Sequence, residues 1–516
     1  FVTNKAGDTI QIVYTQITPD NEDGTVVIPE GYTTIMPKAF VGQTKIAKLV
    51  LPSTIQKIGS EAFKGIKSLT EVSFARNKDG KSVLSYMGID VFMDCSGLVK
   101  AEIPGELGYV PDGTFRACSS LKEVTLGEGI KTIGRIGLTS WVDFGNNTLT
   151  RDQLYFDDIE FANGKLVTTQ NYNGINTYTF YNCTALTTIK TKPSDPDNVA
   201  TLPSTLKELG NYAFSTAGLI SVILPEQITS IGGSEYWQCL QNKAPTKQSA
   251  GTRYIFNNCK SLVSVYAKGT ITKISEYAFQ NASSFTTFKT KNSDPDGKVT
   301  LPDSCTELGN YSFEGTGITE FNLNKVTTIG TYLFRNTVNL QSVDLGGITA
   351  LTKCMFSGSG ISSIDISKVK SFDTNVFEKC ANLTSVELNE EVTTLPASAF
   401  ASSGLTSIDL THITSLGAYA FDGCTNLASV TNETNLSTIG SYAFRNTAIT
   451  SFSLAKMTAV PVSMFEGCTK LTKVTGTQQI TVVNKNSFKG SGIKNLDLPK
   501  VTKIDSSAFE DCADLT

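Results

Sequence analysis

Histidine is all but missing from this sequence: there is one, His412, in 516 residues. With no second imidazole to converge on it, and no cysteine or serine marked as its partner, most acid–base relays and histidine-based metal sites are excluded. No stretch approaches the roughly 18 uninterrupted apolar residues of a membrane helix, and no signal peptide is visible. A net charge of −4 without clustered Lys and Arg argues against nucleic acid. There is no phosphate-cradling glycine loop and no His/Cys/carboxylate cluster with metal-ligand spacing. Acidic residues are plentiful, yet nothing singles out a carboxylate pair for glycoside cleavage. Catalysis is disfavoured, and no cofactor and no metal is expected. Tryptophan is scarce too: Trp141 and Trp237 are the only two.

Phenylalanine, by contrast, recurs almost throughout. In the second half it falls at Phe313, Phe334, Phe356, Phe377, Phe400, Phe421, Phe444, Phe465, Phe488 and Phe509, in steps of 21, 22, 21, 23, 21, 23, 21, 23 and 21 residues. A period of about 20 to 29 residues with leucine-like anchors marks a stacked solenoid, one repeat to a coil. Each coil then needs only its two neighbours, so 516 residues need not divide into globular domains.

Two coil types alternate. The longer runs from Phe377 through Cys380, Leu383, Val386 and Leu388 to Val392 and Leu395; the shorter runs from Phe400 through Leu405, Ile408 and Leu410 to Ile413 and Leu416. The Val-x-Leu core has the period of two of a strand with apolar residues inward, so stacked coils predict a long parallel sheet. No run is long enough for an ordinary helix. The pattern Ile-Gly-x-Tyr-Ala-Phe-x-x-Cys-x-x-Leu-x-x-Val stands here as Ile439-Gly-Ser-Tyr-Ala-Phe444 and as Phe421-Asp-Gly-Cys424-Thr-Asn-Leu427-Ala-Ser-Val430. It resembles the BspA-like leucine-rich repeats of bacterial surface proteins. With 18 repeat phenylalanines from Phe40 to Phe509, the resemblance covers almost the whole chain. It implies a β-rich, curved, right-handed leucine-rich-repeat solenoid, export to the cell surface or outside, and adhesion rather than catalysis. It carries no invariant binding residue. The expected organisation is a capping segment over 1–35, repeats with insertions over 36–312, and regular alternating repeats over 313–516.

Eight of the 11 cysteines share one address, three residues after the repeat phenylalanine: Cys95, Cys118, Cys183, Cys259, Cys380, Cys424, Cys468 and Cys512. Side chains stacked about 4.8 Å apart run parallel, a poor geometry for bridging. Free, buried packing thiols are expected.

The regularity breaks in the first half. Insertions are expected at about 135–177, 191–200, 233–253 and 290–299, and in solenoids such loops share one edge, often the binding face. Residues 154–166 read as a hairpin around Asn163-Gly164. The first and third insertions follow Ile133-Gly134 and Ile231-Gly232 and contain Trp141, Tyr236 and Trp237. These rings would suit a protein hot spot or stacking on sugars, or else anchor loops that have no other core. The second and fourth, Lys192-Pro-Ser194-Asp195-Pro-Asp197 and Lys291-Asn-Ser293-Asp294-Pro-Asp296, are near duplicates. They read as turns, with calcium the lesser alternative because two carboxylates do not fill its coordination.

Stacking turns a repeated address into a stripe. Asp344, Asp365, Glu387 and Asp409 occupy the position between the inward strand residues of four consecutive coils, where like charges repel. Lys325, Lys368, His412, Lys456 and Lys500 run beside them. Such a face is either a solvated guard against aggregation or a charge-patterned binding surface. A tyrosine column two residues before the phenylalanine, including Tyr178, Tyr212, Tyr254 and Tyr277, reads as packing. The reading as a whole is a monomeric, non-enzymatic, adhesin-like protein recognising an extracellular protein through the solenoid face and insertions, its targeting segment outside this chain. A glycan ligand bound by the aromatic insertions, or a passive spacer, are the alternatives.

Overall fold

A computed structural model describes residues 22–134, 177–232 and 253–516, together with the strands Val2–Thr3, Thr9–Ile10, Thr132–Arg135, Ile159–Ala162, Lys165–Thr168, Tyr236–Gln238 and Thr246–Gln248. The chain is a parallel β-solenoid of about 18 turns with almost no helix. Among the described residues, helical turns are the 3-10 segments Gly105–Leu107, Glu433–Asn435 and Thr477–Gln479. Two units are distinguished, Phe1–Asp296 and Gly297–Thr516.

In the first unit ten of the strands join into one parallel sheet, from Thr25–Val27 to Thr287–Lys289. Its register places like on like: Leu49 faces Val72, Ala101 faces Val124, and Val222 faces Val265. Alternate residues are buried, as the period-two pattern requires. The first near-duplicate insertion does more than turn. It returns Val199–Thr201 to the sheet as an additional strand, between Thr188–Lys190 and Ser221–Leu224. In the second unit Val299, just after the other insertion, likewise bridges to Phe321. At the start of the chain Val2–Thr3 pairs antiparallel with Thr9–Ile10 and with Thr34–Ile35. A hairpin forms where the sequence predicts it: Ile159–Ala162 pairs antiparallel with Lys165–Thr168, Ala162 facing Lys165. A second hairpin, Tyr236–Gln238 against Thr246–Gln248, lies in the third insertion and has no Asn-Gly turn signal.

The phenylalanines explain the rhythm. Within each unit each packs its face on the next, for example Phe180 on Phe214 at 5.3 Å and 5°, or Phe400 on Phe421 at 5.7 Å and 4°. The turn around each ring has a left-handed residue on either side, such as Tyr419 at φ 61° and Gly423 at φ 71°. Reversing the backbone sense there aims alternate N–H groups at the next coil: Tyr419 donates to Ser441 O, Phe421 to Ala443 O, and Gly423 to Arg445 O, all at 2.8–2.9 Å. Most of the shorter coils drop a residue here at a glycine such as Gly404, while the coil of Phe444 has Ala448 at this address. A Cβ on Gly404 would lie 2.1 Å from the carbonyl oxygen of Ala381.

All eight cysteines of the column donate S–H to the carbonyl of the phenylalanine one coil before, from Cys95 to Phe63 O at 3.1 Å through Cys512 to Phe488 O at 3.0 Å. They are free thiols, and all but Cys512 are buried. Burial pushes Cys95 and Cys380 up to about 12 and Cys424 and Cys468 up to about 11. A thiol that cannot ionise is a poor nucleophile. Maleimide labelling of the native protein at pH 7 should therefore leave these seven buried column thiols unmodified. They should react only after denaturation, as peptide mass mapping would show; rapid native labelling of Cys380 or Cys424 would contradict the packing.

In the second unit the sheet differs from the expectation of one continuous ladder. Strands pair two by two: Glu320–Asn322 with Ser342–Asp344, Ser407–Asp409 with Ser429–Thr431, and Ser451–Ser453 with Lys473–Thr475. The cause is local. Asn322, Asp344, Asp365 and Asp409 each accept a hydrogen bond from the amide two residues on, at 2.7–2.9 Å. That side-chain turn competes with the extended backbone and ends the strand early. The first unit has Val50, Ser73, Glu102 and Thr125 at this address, and its strands run four residues.

Candidate functional site

Where the pairing lapses, the face opens. By the two-by-two pattern, the coil of Ile364 should pair with the coil of Val386. Instead, among the described residues, Ser363 makes only a bridge back to Ser342, and no strand forms over 384–388. The turn side of the same two coils stays closed, with Phe356 and Phe377 stacked at 5.5 Å and 3° and Gly358 N–H bonded to Glu378 O at 2.7 Å. The coils are thus joined at one edge and parted at the other.

Beside this lapse lies a groove of about 640 Å³, lined by the coils of Val343 and Ile364 and, from the coil of Val386, by Glu387. Its apolar lining comes from Val343, Leu345, Ile348, Ile364, Ile366 and Val369, and its charged lining from Asp344, Asp365, Glu387 and Lys368. At the inward strand address Val343 and Ile408 are 5% and 3% exposed, whereas Ile364 and Val386 are half-buried, as is Val430 in its paired strand. A smaller groove of about 370 Å³, sharing Ser342 and Asp344, continues along the face past Phe321 to Lys298.

Three of the four predicted acidic residues, Asp344, Asp365 and Glu387, line this groove and are exposed. Asp409, also exposed, does not line it; its carboxylate takes Thr411 N–H at 2.9 Å, Thr411 Oγ1 at 2.7 Å and Asn432 Nδ2 at 2.9 Å. These bonds hold Asp409 below the usual carboxylate range, Asn432 contributing most, and bonds from Ser367 do the same for Asp365. Repulsion at Asp365 and Asp409 is therefore offset mainly by side-chain donors, with the amides of Ser367 and Thr411 adding to them. The basic stripe adds to this at a distance, Lys368 lowering Asp365 and His412 lowering Asp409, although among the described residues no ion pair joins the two stripes. Lys456 and Lys500 bond instead to Asn435 and Gln479. The signal for the turns was present in the sequence as Asp-x-Gly346, Asp-x-Ser367 and Asp-x-Thr411.

Trp141 lies outside the described residues. Tyr236 and Trp237 lie on the strand Tyr236–Gln238, facing Gln248 and Lys247 in register, but their side chains are also outside them.

Nor do the Asp-Pro-Asp loops offer a vacant cation site. Asp195 Oδ2 accepts Thr191 N–H at 2.8 Å, Thr191 Oγ1 at 2.9 Å and Lys192 N–H at 3.2 Å, and Asp294 repeats the set with Thr290 and Lys291. Asp197 and Asp296 pair with Lys190 and Lys289 at 2.6 and 2.7 Å. Donors aimed at the carboxylate occupy the lone pairs a calcium ion would need. The tyrosines of the column stack face to face, Tyr212 on Tyr254 at 4.4 Å and Tyr254 on Tyr277 at 4.3 Å. In the second unit Arg335 and Arg445 lie over Tyr332 and Tyr442 at 4.9 and 4.8 Å. With their faces so used, these rings are packing elements rather than a stacking platform.

The family model for the BspA type leucine rich repeat region matches residues 33–152, 137–200, 197–296, 306–414 and 393–516. Among solved structures, the chain is similar to a leucine-rich repeat protein from Bacteroides ovatus, at 17% identity over 97% of this chain and 91% of that one, with a TM-score of 0.47. It is also similar to a leucine rich cell surface protein from Faecalibacterium prausnitzii, at 17% identity over 87% and 86%, TM-score 0.31. A third is the pneumococcal vaccine antigen PcpA, at 17% over 72% and 83%, TM-score 0.34. No curated protein sequence matches. The family model covers nearly every coil that the phenylalanine rhythm marks, and the chain belongs to the BspA-type leucine-rich repeat family.

Proposed function

We propose that this is a non-enzymatic binding protein, presented at the cell surface or secreted, that recognises a protein of a host or neighbouring cell through the sheet face of its second unit. One observation carries the reading: the groove where Asp344, Asp365 and Glu387 stand around an apolar floor. Apolar contact gives affinity there, and unpaired carboxylates give selectivity and faster encounter with a basic partner. Family membership supports an exported position. The glycan alternative rests on Trp141, Tyr236 and Trp237, whose side chains lie outside the described residues.

The test is a triple variant, Asp344→Asn, Asp365→Asn and Glu387→Gln, assayed on immobilised matrix proteins, intact cells and a glycan array. Asparagine keeps the oxygen that closes each turn, so the melting temperature should hold. Binding to the protein surfaces should fall about tenfold or more, and the wild-type association rate should drop with salt. Undiminished binding by the triple variant would remove the groove from the function, and binding confined to glycans would replace the protein ligand.

A further inference from the structure

Resting on that reading, we infer that what the groove takes is an extended segment of the partner bearing lysine or arginine, added as a β-strand to the open edges at Ile364 and Val386. The backbone carries the argument. Among the described residues, the amides of Ile364, Asp365 and Ile366 and those of Val386, Glu387 and Leu388 make no backbone hydrogen bond. At the same address Ile408 and Val430 face each other in a formed ladder. Backbone donors left unpaired in a partly buried, apolar-floored groove are the template for strand addition.

The side chains suit the same guest. A strand alternates its faces, so every second residue would meet the apolar floor around Ile364, made with Val343 and Ile366. The residues between would meet Asp344, Asp365 and Glu387, none of which forms a salt bridge among the described residues. The guest is therefore alternately apolar and basic. A glycan has no peptide N–H and C=O to continue the ladder, and an acidic peptide would meet three carboxylates and one lysine, Lys368.

A synthetic Lys-Val hexapeptide repeat, its Glu-Val counterpart, and the Lys-Val peptide N-methylated at alternate residues are the probes, titrated against the whole chain at low and high salt. Binding of the first should protect alternate amides within residues 364–366 and 386–388 from hydrogen exchange, since successive amides of a strand point to opposite edges. N-methylation should weaken it about tenfold or more by removing two or three hydrogen bonds, and the charge-neutralised triple variant should weaken it similarly. Equal binding of the N-methylated peptide, protection elsewhere, or no binding at millimolar peptide would each overturn strand addition. If the triple variant still loses its cell or matrix partner in those cases, the groove reading stands and only this mode of occupancy falls.

Discussion

Replacing Phe421 by alanine should cost about 3–5 kcal/mol, the largest loss expected from any single side chain away from the ends of the stack. The ring is 0% exposed and lies between Phe400 at 5.7 Å and Phe444 at 5.3 Å. Removing it leaves a cavity with an aromatic face above and below, and the turn ladder on either side holds the backbone too firmly to collapse into it. Two stacking contacts go, each worth about 0.5–1.5 kcal/mol beyond buried area. Because stability in a stack is a sum of coil and neighbour terms, the damage should be local. Native-state hydrogen exchange should accelerate in the coils of Phe400, Phe421 and Phe444 before others in the second unit. Val338→Ala is the control: at 67% exposed it should change stability by no more than about 0.5 kcal/mol. A loss under about 1 kcal/mol for Phe421→Ala would mean that the column is filler, and that the register is held elsewhere.

That column was legible because it is a matter of spacing. Identical residues at one address must stack if the coils are in register, so Phe421, Cys424 and Leu427 announced both their period and their burial. What spacing does not report is where a side-chain oxygen points. Asp344, Asp365 and Asp409 looked like a row of like charges relieved only by the basic stripe beside them, because stacking was considered between coils and not within them. Each bonds two residues along its own chain, and that bond ends the extended run there. Similarly, Ser194-Asp195-Pro-Asp197 declared a turn but not the extra strand it returns, Val199–Thr201, since three residues with one buried alanine carry almost no periodic signal. The groove itself was out of reach. It depends on two coils failing to pair despite strand sequences, Ile364-Asp365-Ile366 and Val386-Glu387-Leu388, that match their paired neighbours.

Asp90→Asn should stabilise the protein at neutral pH, by about 2–3 kcal/mol. Asp90 occupies, in its coil, the left-handed position two residues before the phenylalanine, at φ 54°. Its carboxylate packs against Gly113 so closely that a Cβ there would lie 1.8 Å from Oδ1. Burial is the main cause that pushes it up to about 6, with Glu61 and Asp94 adding to the rise and Lys64 and Arg116 only partly countering it. Below pH 4 or so both the folded and the unfolded chain hold the proton, and the group is neutral to stability. Between about pH 4 and 6 the folded state holds it more tightly, so raising the pH through this window costs stability. Above it the cost is constant. Asparagine removes the charge and fits the backbone, since Asn375 and Asn486 already occupy the same left-handed position at φ 60° and 57°. The gain should therefore be full at pH 7, shrink as the pH falls through 6, and vanish near pH 4, as paired urea titrations of the two proteins would measure. A gain that persisted unchanged at pH 4 would trace to backbone or packing and not to the buried charge. No gain at pH 7 would mean that Lys64 and Arg116 neutralise Asp90 in full.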